Sequence, residues 1–146
     1  MKINKIIIWI LILSLIFISG SATSQIDINK FFNLKLHSSN VQITTLKSGK
    51  SEVKSYKSYF FVTKSGVYDS DDYGLFFLKF VEYPQFRYSY AATGEIIYET
   101  IVVNTIDEAS NKECIFTLNK HVGDEQFIVT LRYETHLFKF ECVSLE

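Results

Sequence analysis

The chain has 146 residues, a formal net charge of −1 at pH 7 and 16% aromatic residues, with two cysteines and one proline. This balance lacks the basic surplus with which nucleic-acid binders neutralise phosphates, so nucleic acid is not an expected partner. The length suits one domain, and aromatic rings that bury roughly 150–250 Å² each can build its core.

Met1 to Lys5 carries two cations, Lys2 and Lys5, ahead of an uncharged run from Ile6 to Ile18. Small residues follow from Ser19 to Ser24. A basic start, a short apolar core and a small-residue end read as a secretory signal peptide over residues 1–24. Ala22 and Ser24 then occupy the two positions that must be small; cleavage after Ala22 satisfies the rule as well. The apolar run is shorter than the ~20 residues a membrane span requires. An uncleaved N-terminal anchor is the competing view, and no stable span is expected once the signal is removed. No cysteine follows the apolar run, so no lipoprotein is indicated. Cleavage leaves 122 residues, 25–146, as a single β-rich domain. It changes the charge from −1 to −3, because Lys2 and Lys5 leave and no acid does, and it removes Trp9, the only tryptophan. The Ile-rich core and the lack of an N-x-[ST] sequon point to an exported, bacterial protein, periplasmic or extracellular.

Asp27 precedes Ile28-Asn29-Lys30-Phe31-Phe32 as a helix cap, with Ile26 and Phe31 placed for a hydrophobic staple, so one short N-terminal helix is expected. The competing reading starts a strand at Leu34 and Leu36. Val41 to Leu46 is β-branched and reads as a strand, although Gly49 would also close a second short helix. Lys47 to Ser58 combines four lysines with four serines and predicts a flexible loop or an exposed hairpin end. Tyr59 to Thr63 is a strand, Lys64-Ser65-Gly66 a turn, and Asp69 to Gly74 a second turn.

From Leu75 the alternation sharpens. Phe76, Leu78 and Phe80 share one face, whereas Phe77, Val81 and Tyr83 share the other with Lys79. Pro84 breaks the ladder before Phe86, Tyr88 and Tyr90. Glu95 to Asn104 is a strand after the Thr93-Gly94 turn, with Ile97, Ile101 and Val103 assigned to its second face. Cys114, Phe116 and Leu118 alternate after a polar loop at Asp107–Lys112. The last hairpin sets Phe127, Val129, Leu131 and Tyr133 against Phe138, Phe140 and Cys142, around a turn at Thr135-His136. A period of two with short loops predicts a mainly β, single antiparallel domain of about eight strands, a meander closing to a barrel or folding over as a sandwich.

An exported protein meets an oxidising compartment, which makes Cys114 and Cys142 candidates for a disulfide. A plain meander opposes this. With Cys114 opposite Leu131 and Cys142 opposite Val129, one strand separates the pair by about 12 Å, beyond the reach of about 7 Å. Both readings stay open. No metal site is expected, because there is no C-x-x-C and no histidine at ligand spacing. Asp69-Ser70-Asp71-Asp72-Tyr73-Gly74 echoes a calcium loop but lacks its ligands at positions five and twelve, so an acidic hairpin turn is the expectation. Ser51-x-x-Lys54 and Lys64-Ser65-Gly66 match fragments of serine β-lactamase motifs, but Ser70-Asp71-Asp72, the approximation to S-D-N, follows the K-S-G in place of preceding it and the chain is too small, so the matches are compositional.

His37, His121 and His136 sit near turns, with no serine or cysteine placed as their nucleophile. Glu82, Glu95, Glu99 and Glu141 lie on or beside strands at unassigned separations, so no catalytic residue and no cofactor is predicted. The Lys47–Lys57 segment offers a modest positive surface for a polysaccharide or acidic lipid headgroups. The second-face aromatics require a cover, and the N-terminal helix is the expected one. The functional expectation is a small, exported, non-catalytic binding protein whose partner is a protein, a glycan or an apolar ligand. The alternative is an apolar-ligand carrier. In strand count and length the chain resembles the calycins, but the lipocalin G-x-W is absent, so no family is assigned.

Overall fold

The computed structural model describes residues 27–145. The expected signal peptide, residues 1–24, and Ile26 of the expected staple lie outside the described residues. Asp27 does cap: its Oδ1 accepts the Asn29 N–H at 3.1 Å, starting a single 3₁₀ turn, Ile28–Phe31. Nine strands follow. They are β1 (Lys35–Thr45), β2 (Ser51–Val62), β3 (Gly66–Asp71), β4 (Gly74–Phe80), β5 (Gln85–Tyr90), β6 (Ile96–Asp107), β7 (Lys112–His121), β8 (Gln126–Arg132) and β9 (His136–Ser144). Each strand pairs antiparallel with its neighbours in the order β4-β3-β2-β1-β9-β8-β7-β6, and β4 pairs with β6 to close an eight-stranded barrel. β5 is the extra strand.

Closure depends on a strand that breaks and resumes. β4 meets Thr105–Asp107 of β6, while β5 meets Ile96–Val102 of the same strand, both antiparallel. β4 and β5 therefore run in the same direction along one edge of β6, interrupted at Val81–Pro84. The Val81 N–H still donates to the Asn104 carbonyl at 2.9 Å, and Pro84, which has no N–H to give the ladder, sits where the pairing lapses. A bulge in β1 between His37 and Val41 similarly switches its inward positions from Leu36 and Ser38 to Val41 and Ile43.

The inward positions are packed with side chains. Leu36, Phe60, Ile101, Phe116, Leu118 and Val129 are each at most 1% exposed, which leaves no room beside them. Eight strands give an interior that side chains can just fill. Ile101 and Val103 point into this core and not to a second face. Phe31, fully buried, and Phe32 close one end of the barrel from the N-terminal turn. Phe31 meets Phe86 at a ring-centroid distance of 5.8 Å with the planes tilted by 59°, and Lys30 pairs with Glu99 while lying over the Phe31 and Phe86 rings. The turn therefore plugs an end of the barrel and is not the expected cover of the second face, where Val81 and Tyr83 stay 60% and 67% exposed.

Several sequence expectations shift. Lys47–Ser58 is a hairpin end, with Gly49 at φ +67° in the turn, and no second helix forms there. Asp69 to Asp71 belong to β3, and the chain turns only at Asp72-Tyr73. Cys114 lies across from the Tyr133 end of β8, and Cys142 faces Phe127 at its start. Leu131 and Val129 instead face Phe116 and Phe140. Each of these registers differs from the expected one by two residues, a slip that keeps every side chain on its face. Both cysteines are buried free thiols at opposite ends of β8.

Candidate functional site

The end opposite the Phe31 plug carries the β1–β2, β3–β4, β6–β7 and β8–β9 turns and remains open. It holds a cleft of approximately 1200 Å³, lined by the rims of β6 to β9. Thr105, Cys114, Tyr133 and Phe138 contribute from the inward face; Ile106, Ile115 and Arg132 show that the cleft continues over the rim. Tyr133 and Phe138 meet edge to face at 5.9 Å and make its aromatic wall. The rim charges are mixed: Asp107, Glu113 and Glu134 alternate with Lys112, Arg132 and His136.

Most polar groups here are already engaged by the fold. Thr105 Oγ1 donates to the Cys114 carbonyl at 2.8 Å, and Asp107 accepts the Ala109 N–H at 2.9 Å and the Ser110 hydroxyl at 2.8 Å, tying the β6–β7 turn. Asp71 does the same for the β3–β4 turn, accepting the Tyr73 N–H at 2.7 Å, the Gly74 N–H at 3.1 Å and the Tyr56 hydroxyl. This turn, expected to be acidic, uses its carboxylate on its own backbone. Burial pushes the Cys114 thiol up to about 11, so it is protonated at neutral pH and a poor nucleophile. Burial, then the neighbouring Cys114, also raises the Tyr133 phenol. Burial likewise lifts Cys142, at the far end, to about 12.

Asp69, in the interior and not among the residues that line the cleft, is the exception. It faces inward from β3 at 9% exposure, and its Oδ1 has no hydrogen-bond partner. The Ser58 hydroxyl, fully buried on the neighbouring strand, has none either. Desolvation first, and then the charges of Asp71 and Asp107, push Asp69 up to about 7. Sequence reasoning placed Asp69 in a turn. The signal it passed over is the alternation of Val67, Asp69 and Asp71 with Tyr68 and Ser70, which is a strand pattern with acids on the dry side.

The other candidates are dispersed. His37 stacks on Tyr59 at 4.7 Å, His121 Nδ1 lies 3.0 Å from Asp124 Oδ2, and His136 contacts Thr135 Oγ1 at 2.7 Å. That last pair is formed by sequence neighbours in an exposed turn, without a third group to orient the ring. Glu82 accepts from Asn104 at 2.9 Å, Glu99 pairs with Lys30, and Glu141 lies 3.8 Å from Lys139. No two of them are paired as an acid and a base. Among the described residues, no group of three or more His, Cys, Asp or Glu has metal-site geometry. Comparisons with protein-family models, curated proteins and solved structures find no match.

Proposed function

We propose that this is an exported, non-catalytic binding protein whose ligand seats in the open end of the barrel. The carrying observation is the asymmetry of the two ends, one sealed by Phe31 and Phe32, the other opening into a cleft with the Tyr133–Phe138 wall. A concave site with an apolar wall and a few polar groups at its rim is the usual form of a small-molecule site. The mixed rim suits an amphipathic ligand, its apolar part against Tyr133 and Phe138 and its polar part among the rim charges. Export rests on the N-terminal pattern of the sequence. N-terminal sequencing of the protein from its host is expected to begin at Gln25, or at Thr23, and a start at Met1 would remove that part of the reading.

The apolar-carrier alternative draws support from barrel closure, but the side-chain-filled interior opposes a ligand swallowed along the barrel axis. In either version the site is the cleft. Native mass spectrometry of the protein purified from its host is expected to retain a small mass, and Tyr133→Ala with Phe138→Ala is expected to release it. A clean protein mass, together with no binding of an amphipathic fluorescent probe at that end, would overturn the reading.

A further inference from the structure

The outside of the barrel is as asymmetric as its ends. On β2, β3 and β4 the outward positions hold a row of rings: Phe61 stacks with Tyr68 at 6.4 Å and 21°, and Tyr68 with Phe77 at 4.6 Å and 34°. Tyr59, 45% exposed, extends the row toward His37, and Leu75 stands 67% exposed beside it. A Cβ at Gly66 would run into the Phe77 ring and the Leu78 carbonyl, so glycine allows Phe77 to lie down into this row. Lys35, whose Nζ lies 6.0 Å from the Phe61 centroid, shares the face with Lys57 and Lys79. The three carboxylates of β1 to β4 are elsewhere: Asp69 and Asp71 point inward, and Glu52 pairs with Lys54 at 2.8 Å on that same inward side of the strand. Across the barrel the outward positions of β6 to β8 are Thr-, Asn- and Ile-rich, with Thr100 donating to Asn119 at 2.6 Å.

We infer that the outer face of β1 to β4 docks on an anionic lipid surface, with Lys35, Lys57 and Lys79 meeting the headgroups and the aromatic row entering the interfacial layer. Charge complementarity carries this: in a chain with net charge −1, strands β1 to β4 present three lysines and no carboxylate at their outward positions, the nearest outward acids being Glu82, which accepts from Asn104, and Glu141 on β9. Lysine stems can lie along apolar surface while their ammonium groups reach outward, and tyrosine suits a boundary that is apolar on one side and wet on the other. Leu75, 67% exposed beside the row, favours a bilayer over an anionic glycan, since an aliphatic side chain gains from an apolar layer and has no flat face on which a sugar could stack.

Co-sedimentation of the chain from Gln25, which contains every described strand, tests this with vesicles of phosphatidylcholine alone or mixed with phosphatidylglycerol. Binding only to the mixed vesicles, weakened by added salt, is expected. An anionic bilayer strengthens binding roughly fivefold per nearby cation, so Lys57→Glu with Lys79→Glu is expected to weaken it by at least about 25-fold. Arg87→Glu with Lys120→Glu carries the same net charge away from the face and is expected to leave binding intact. Tyr59→Ser, at an exposed ring, is expected to weaken it several-fold with the fold unchanged by circular dichroism. Absence of binding to the mixed vesicles by folded protein, equal loss in the two charge-reversed pairs, or capture of dextran sulfate in place of vesicles would each overturn the assignment.

Discussion

The two ends of the barrel are built from the same aromatic-rich alternation and behave oppositely. At one end a single 3₁₀ turn drops Phe31 into the opening, and Lys30–Glu99 with the Phe86 contact fastens it there. At the other, Asp107 and Asp71 are spent on their turns and Tyr133 and Phe138 border open space, while Ser58 and Asp69 are left unpaired deeper in the interior beside Phe60. Closure and opening are thus separated along the barrel axis. The sealed end contributes the hydrophobic closure, while the unmet polar groups of the interior cost stability.

The largest expected effect is at the sealed end. Phe31→Ala removes a fully buried ring from a filled interior and is expected to destabilise by about 3–5 kcal/mol, measured as a fall in the urea midpoint. Phe138→Ala, on a partly exposed ring at the cleft, is expected to cost clearly less; equal costs would erase the distinction between the ends. Asp69 gives the next effect, with the opposite sign. Its carboxyl titrates near 7 in the folded state and near 3.9 when unfolded, so the folded state holds the extra proton between those values. Stability should therefore be greatest below about pH 4 as far as this group is concerned, and be lost as pH rises through 7, by on the order of 4 kcal/mol at most. Asp69→Asn is expected to remove that slope and to stabilise the protein at pH 8, read from urea unfolding across pH. Asp27→Ala, which removes only the cap of the sealing turn, is expected to cost about 1 kcal/mol.

Where the sequence spoke clearly, it did so through alternation. Phe116 and Leu118, then Phe127, Val129 and Leu131, and Phe140 with Cys142 all point inward as their period of two requires. Alternation says nothing about closure, however, because the barrel depends on Leu78–Phe80 meeting Thr105–Asp107, a contact between strands that are not consecutive. Nor does it fix register: a turn at Tyr133–Thr135 in place of Thr135-His136 slides the last hairpin by two residues without moving any side chain to the other face. Asp69 escaped because an acid among serines and glycines reads as a turn, and only the pairing of Phe60 with Asp69 shows that it faces the interior. The cleft was illegible for another reason. Its walls come mainly from β6 to β9, which pair consecutively, and alternation does not say that their shared end is left uncovered.

The two thiols report the asymmetry most directly, since Cys114 lines the cleft and Cys142 lies at the far end of β8 beyond the packed interior. They are nearly alike in static exposure, 2% and 3%, so any difference in reactivity reflects what surrounds them. The decisive measurement is their rates of labelling by a small alkylating reagent in the native protein, resolved by peptide mass spectrometry. Labelling of Cys114 well ahead of Cys142, with Cys142 reacting only at the rate of global unfolding, is the predicted result. Equal rates, or Cys142 reacting first, would contradict a barrel that is sealed at the Phe31 end and open at the other.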